Sequence, residues 1–253
     1  MTVRRLDGYF LGTREYRACL SLQEQLHARR VAGDVGDTVL FVEHEPVITL
    51  GRGAHAEHLL ASTQQLKDLG VDVVETGRGG DVTLHCPGQL VCYPIVDLGP
   101  DRKDVRRYVR DLTEVMRLVV KAHGVDAGRV EQHIGLWANR ASATTYRGVD
   151  SEADLVKLGA VGVRISRWVT MHGFALNLNP DMRRFALIVP CGIKEYGVAS
   201  LAELMDGPPP SVADAAAQAF AALISVLGAD ASRSKMVVGE PVLPGPAQPA
   251  PEM

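Results

Sequence analysis

The sequence predicts a single domain of the α/β or α+β class, a mixed sheet flanked by helices, on three observations. Short runs rich in β-branched residues are interleaved with stretches of helical periodicity. Two apolar runs meet at Pro87-Gly88, where proline presets one dihedral and glycine tolerates positive φ, which argues for a hairpin or sharp corner and against a strictly alternating parallel sheet. The 253 residues, 46% hydrophobic and 23% charged, suffice for one core. With 27 Lys and Arg against 30 Asp and Glu, the net charge is -3, without the basic excess of a phosphate-backbone binder, so no nucleic acid is expected as partner. No apolar stretch approaches the roughly 20 residues that cross a bilayer, and residues 1–17 lack a signal-peptide core, so no membrane association and a cytoplasmic location are expected. The four cysteines, Cys19, Cys86, Cys92 and Cys191, form no C-x-x-C pair, which indicates neither a disulfide framework nor a zinc site.

Along the chain, residues 15–30 carry Cys19, Leu20, Leu22 and Leu26 at near-helical spacing, a surface helix ending near Gly33. Residues 38–44 and 47–51 read as strands split by Glu45-Pro46, residues 59–69 as a second helix, and residues 71–76 as a third strand. Residues 81–98 hold the two runs around Pro87-Gly88, and residues 105–123 the best apolar stripe in the chain, from Val105 through Tyr108, Leu112, Met116 and Val120. Residues 139–154 are polar and aperiodic, an exposed loop or insertion. Residues 156–167 and 169–179 are long strands joined at Trp168, residues 213–227 an alanine-rich helix, and the tail from about residue 232 is Pro-rich and disordered. Residues 1–231 thus form the one domain.

Chemistry concentrates in three places. Cys191, between Pro190 and Gly192, is held on a turn that a substrate could approach closely, as suits a nucleophile, although a free cysteine also serves as a small core hydrophobe. Strand alternation places Lys157 on one face with Gly159, Val161, Val163 and Ile165, an apolar setting that would lower its pKa and free its amine as a base, unless it snorkels to water at the strand start. Alternation also puts Asp81, Thr83 and His85 on one face and Val82, Leu84 and Cys86 on the other, just after the Arg78-Gly79-Gly80 loop, making a polar ligand wall. Thr170 and His172 share a face with Phe174, and a lone histidine such as His85 or His172 is more often a hydrogen-bonded structural residue. No metal is expected, because His85 and Cys86 point to opposite faces.

Taken together, the blocks RGGDVTLHCPGQLVCYPIVDL, KLGAVGVRISRWVTMHGFALNLN and VPCGIKEYGVASL resemble, in order and content over about residues 40–204, the lipoyl(octanoyl) transferases of lipoate biosynthesis. The resemblance implies the fold of biotin and lipoate protein ligases, a catalytic dyad of Cys191 and Lys157, and no cofactor, the phosphopantetheine being carried by the donor protein. It also implies a substrate pocket from Arg78, Gly79, Gly80, Asp81, Val82, Thr83, Leu84 and His85, from Ala160, Val161 and Gly162, and from Gly173, Phe174 and Ala175. The implied donor is octanoyl-acyl carrier protein, and the implied acceptors are lipoyl domains of 2-oxoacid dehydrogenases and the glycine cleavage H protein, served by a monomer.

Three features depart from the family pattern: Cys86 where glycine is usual, Leu155-Val156 before the lysine, and the length of residues 139–154. Alternative readings are an ATP-dependent lipoate or biotin ligase, which needs no cysteine nucleophile, octanoyl transfer between lipoyl domains, and a non-catalytic binding module. Carrier proteins are acidic, so docking should use a local basic patch, with Arg164, Arg167, Arg183 and Arg184 as candidates.

Overall fold

The structure, a computed structural model, describes residues 4–148, 154–192 and 196–243. Its frame is a mixed main sheet and a three-stranded sheet packed beside it. Strand β1 (Leu6–Arg14) leads into helix α1 (Tyr16–Ala32), which Glu15 caps at its N-terminus and left-handed Gly33 closes. Strands β2 (Asp37–His44) and β3 (Val47–Leu50) follow, then helix α2 (Thr63–Asp68), whose start is fixed by a capping box from Ser62 to Gln65. The helix expected over residues 59–69 is therefore shorter, since Leu59 instead bridges to Ile188. Strand β4 (Asp72–Glu75) precedes β5 (Val82–His85) and β6 (Gln89–Ile95).

Strands β5 and β6 form a corner and not a hairpin. Gly88 takes φ 88° and the Gln89 N–H donates to the Cys86 carbonyl at 3.3 Å, a tight turn that sends the two strands into different sheets. Helix α3 (Val105–Lys121), strand β7 (Leu136–Asn139), and the long hairpin of β8 (Leu155–Ser166) and β9 (Val169–Asn177) come next. That hairpin turns on Arg167 and Trp168, both at positive φ, as a two-residue connection compatible with strand twist requires. The chain continues through β10 (Gly197–Val198), α4 (Leu201–Leu204), α5 (Val212–Leu227) and β11 (Lys235–Val238).

The main sheet runs β10-β8-β9-β6-β2-β1-β11, with β7 also on β8, while β4-β3-β5 makes the small sheet. Alternation sorts the core onto two faces: Val39, Phe41, Leu90, Cys92, Phe174 and Leu176 pack under α3 and α5, whereas Leu40, Val42, Val91, Tyr93 and Ala175 pack under α1. Two boundaries need correction. The expected disordered tail from residue 232 begins too early, because β11 pairs in parallel with β1 from Asp7 to Phe10; residues 244–253 lie outside the described residues. The 139–154 loop is not wholly exposed, for Asn139 is buried at the end of β7 and accepts from the Arg147 N–H at 2.7 Å; residues 149–153 lie outside the described residues. Strand β1 carried no sequence signal that set it apart.

Candidate active site

The α1 side of the main sheet faces the inner side of the small sheet, and a cavity lies between them. Arg78, Gly80, Asp81, Thr83 and His85 form one wall; Ala160, Val161 and Gly162 from β8 and Gly173, Phe174 and Ala175 from β9 form the other. Those last six meet because β8 and β9 pair Gly162 with Gly173 and Ala160 with Ala175. A Cβ on Gly162 would lie 2.9 Å from the Gly79 carbonyl, and the Gly79 N–H donates to the Val163 carbonyl at 2.9 Å, so the Arg78-Gly80 loop lies directly on β8. Phe174 sends its ring into the core under α3 and meets the cavity from its backbone. Val82 and Leu84 are corrections to the expected pocket: they pack with Ile48, Leu66 and Cys86 on the outer face of the small sheet, as the strand period dictates.

Arg78 is anchored. Its Nη2 donates to the Thr49 carbonyl at 2.6 Å and to the Thr49 hydroxyl at 2.9 Å, so its buried charge is held by β3. His85 belongs to a ring cluster that the sequence did not reveal, with Tyr16 stacked on it at 6.0 Å and His44 at 5.8 Å. The Gln89 amide donates to Asn177 Oδ1 at 2.8 Å, which leaves its oxygen to accept from His85 Nδ1 at 2.7 Å. Likewise His44 Nδ1 donates to the Arg14 carbonyl, so its Nε2 accepts from the Tyr93 hydroxyl at 2.8 Å. Burial lowers the pKa of His85 to about 3 and of His44 to about 4, and both are neutral imidazoles.

His172, set beside Thr170 and Phe174 by simple alternation, in fact lines the cavity. Its φ of 59° takes its N–H out of the strand ladder to Gln23 Oε1 on α1. Neither ring nitrogen finds a protein partner among the described residues, and burial lowers its pKa to about 3. A left-handed β-strand residue has no sequence signature apart from being a conformational exception.

Lys157 is buried, with its ammonium 5.3 Å from the centre of the Trp137 ring. Strand alternation placed it on the face of Val161, Val163 and Ile165, and the structure corrects this. The register between β7 and β8 shifts between Leu136 and Trp137, pairing them with Gly159 and Lys157, so one residue of β8 is bulged out. Val156 and Leu158 before the bulge, and Val161, Val163 and Ile165 after it, all reach the α3 side. Lys157 is left on the cavity side, where it lines a recess with Thr83, Ala160, Ala175 and Pro190. It does not snorkel at a strand start; β7 and β10 flank it.

Pro190 opens the 3-10 turn Pro190–Gly192 that carries the backbone of Cys191. The turn is tied to His58, whose carbonyl accepts from the Val189 N–H at 2.8 Å. His58 Nδ1 and Asp81 Oδ2 are 2.5 Å apart, and a Cβ on Gly192 would touch both residues. This largely buried His58–Asp81 pair beside Cys191 was not singled out from sequence, since the two residues lie 23 positions apart. Among the described residues no cluster of His, Cys, Asp and Glu could hold a metal ion.

The cavity walled by small residues thus adjoins a recess lined by Lys157 and by Pro190 of the turn that carries Cys191. The chain matches the model of the lipoyl protein ligase A/B catalytic domain over residues 15–224 and belongs to that family. Within the family it is similar to curated octanoyltransferases, and it is a transferase enzyme of that line. The Myxococcus xanthus relative is 47% identical over 193 residues, which cover 76% of this chain but 52% of that protein, so the chain spans about half its length. The Chloroflexus aggregans relative is 42% identical over 225 residues, covering 88% of this chain and 96% of the relative. A bipartite lipoate protein ligase from Thermoplasma acidophilum shares the fold, with a TM-score of 0.67 at 14% identity over 92% of this chain and 88% of that one. No helix among the described residues is long and apolar enough to cross a membrane.

Proposed function

We propose that this protein moves an octanoyl group from octanoyl-acyl carrier protein to the ε-amine of a lysine on lipoyl domains, through a thioester on Cys191. The observation that carries the reading is the convergence of Lys157, the Pro190–Gly192 turn and the small-residue wall on adjoining recesses that share Thr83, Ala160 and Ala175. Thiol chemistry favours Cys191 by elimination. Cys19, Cys86 and Cys92 are buried, and burial pushes their thiols up, to about 12 for Cys19 and about 11 for Cys86, so none supplies thiolate at neutral pH.

In the first half-reaction the Cys191 thiolate attacks the donor's thioester carbonyl. A C–S bond to Cys191 forms, the bond to the pantetheine sulfur breaks, and that sulfur leaves as a thiol after taking a proton. In the second, the acceptor's neutral amine attacks the Cys191 thioester, giving an amide and returning the thiol. Lys157 shuttles the proton, withdrawing it from the Cys191 thiol and later from the attacking amine. The steps balance without nucleotide, metal or resident cofactor, and a free thiol suits a monomer working in a reducing cytoplasm.

Intact-mass measurement after mixing with octanoyl-acyl carrier protein tests this. One octanoyl group should appear on the wild type, none on Cys191→Ala, and it should form far more slowly on Lys157→Ala at neutral pH. An octanoylated Cys191→Ala would remove the mechanism, and turnover requiring ATP and free octanoate would make the protein a ligase.

A further inference from the structure

Outside the cavity, an open groove lies between the first half of α3 and residues 129–135. Its floor is apolar, with Val105 and Val109 one helical turn apart and Ile134 60% exposed on the opposite bank. Its banks are cationic: Arg106 and Arg110 stand one turn apart on α3, and Arg129 faces them. None of the three guanidinium groups makes a salt bridge or hydrogen bond among the described residues, and Glu131 is the single carboxylate in the lining. Three exposed arginines around exposed aliphatic side chains, on a chain of net charge -3, make a local field opposite in sign to the molecule's total.

The inner end of the groove reaches the catalytic lysine. Gly135 closes it, and a Cβ there would lie 2.7 Å from Lys157 Cε, so the groove and Lys157 are separated by the thickness of one backbone. His133, also in the lining, packs its ring against Trp137 at 5.8 Å and Tyr196 at 5.4 Å; Trp137 in turn lies under the Lys157 ammonium. The groove is continuous with the residues that position Lys157.

We propose that this groove docks the acyl donor: an acidic carrier domain whose acyl group rides on a phosphodiester-linked arm. The inference rests on the reading of the reaction given above and assigns its donor a face. Two partners visit the enzyme, and the charges discriminate between them. The acceptor presents a lysine, a cation that three guanidinium groups repel. The donor presents carboxylates and a phosphodiester, which guanidinium groups bind in paired hydrogen bonds. The aliphatic floor supplies the apolar centre that a transient protein interface needs inside a polar rim. Of the arginines expected from sequence, Arg183 is less suited, since it is already engaged by both carboxylate oxygens of Asp181, at 2.8 and 2.9 Å.

The test reverses Arg106 and Arg110 together to Glu and measures steady-state kinetics with octanoyl-acyl carrier protein and with octanoyl-pantetheine, which has neither protein nor phosphate. The expected result is a KM about tenfold or more higher for the carrier-protein donor, with the pantetheine donor and the acceptor lipoyl domain unchanged. Arg106→Ala with Arg110→Ala supplies a second measurement that needs no charge reversal: the wild-type KM for the carrier donor should rise with ionic strength, and this dependence should weaken in the double variant. Equal KM for the carrier donor in wild type and both variants would overturn the assignment, as would a rise confined to the lipoyl domain, which would give the groove to the acceptor. Failure of the wild type to accept octanoyl groups from any donor would instead refute the reaction itself.

Discussion

The two faces of the main sheet are built from the same strands and do opposite things. Under α3 and α5 the sheet packs on a large apolar layer, with Leu112, Val115 and Met116 fully buried. Under α1 and the small sheet the same strands meet Arg78, His44, His85, His172 and Lys157, all buried. Burying polar groups is costly unless they are paired, and most of these are, through Thr49, Gln89 and Tyr93. The first face stabilises the molecule, and the second uses some of that stability to keep charged and titratable side chains buried around the cavity.

The comparison breaks most sharply at Lys157 and Leu112. Lys157→Ala should lower the rate of Cys191 acylation by orders of magnitude at neutral pH, followed by intact mass, while leaving the unfolding midpoint close to wild type, since Ala retains the strand. Leu112→Ala should do the reverse, costing about 2–5 kcal/mol through a cavity in the α3 face with acylation rate per folded molecule intact. Loss of acylation in Leu112→Ala that tracks no loss of fold would show that the two faces are not separable.

Proton uptake sharpens it next. His44, His85 and His172 have pKa values lowered by burial from 6.5 to about 4, 3 and 3. Below pH 6.5 the unfolded chain binds protons on all three that the folded chain refuses. Their contribution is therefore complete above 6.5 and is lost as pH falls toward 4 and then 3, at about 1.4 kcal/mol per pH unit for each histidine. Urea unfolding between pH 4 and 7 should show this slope, and His172→Asn should reduce it by one proton's worth. An unchanged slope would mean His172 is protonated in the folded state.

The same asymmetry explains what was legible in the sequence. Elements whose faces follow a simple period were readable: the α3 stripe, the corner at Pro87-Gly88, and the division of Asp81, Thr83 and His85 from Val82, Leu84 and Cys86. Lys157 and His172 were misplaced for one shared reason. A bulge after Lys157 and a left-handed residue at His172 each interrupt strand alternation, and both departures occur at the cavity. Tyr16, His44, His58 and Thr49 come from distant segments, and only the packing of the small sheet on the large one brings them in.

The smallest expected effect is at Cys86, which departs from the family pattern within a motif block. A glycine there would be needed only for a left-handed backbone, and Cys86 is not among the residues at positive φ; Gly88 carries that role in this turn. Cys86 is buried against the outer face of the small sheet with Leu84 and Phe185. Cys86→Gly therefore removes a packed side chain and adds unfolded-state freedom, and should destabilise by about 1–2 kcal/mol in urea titration. Stabilisation would mean the backbone there is strained. Because Cys86 faces away from Thr83 and His85, and burial pushes its thiol up to about 11, the variant should be inactivated by an alkylating reagent at the wild-type rate. Protection by Cys86→Gly would place this thiol on the cavity side of the small sheet and undo that sheet's division into an outer packed face and an inner face that lines the cavity.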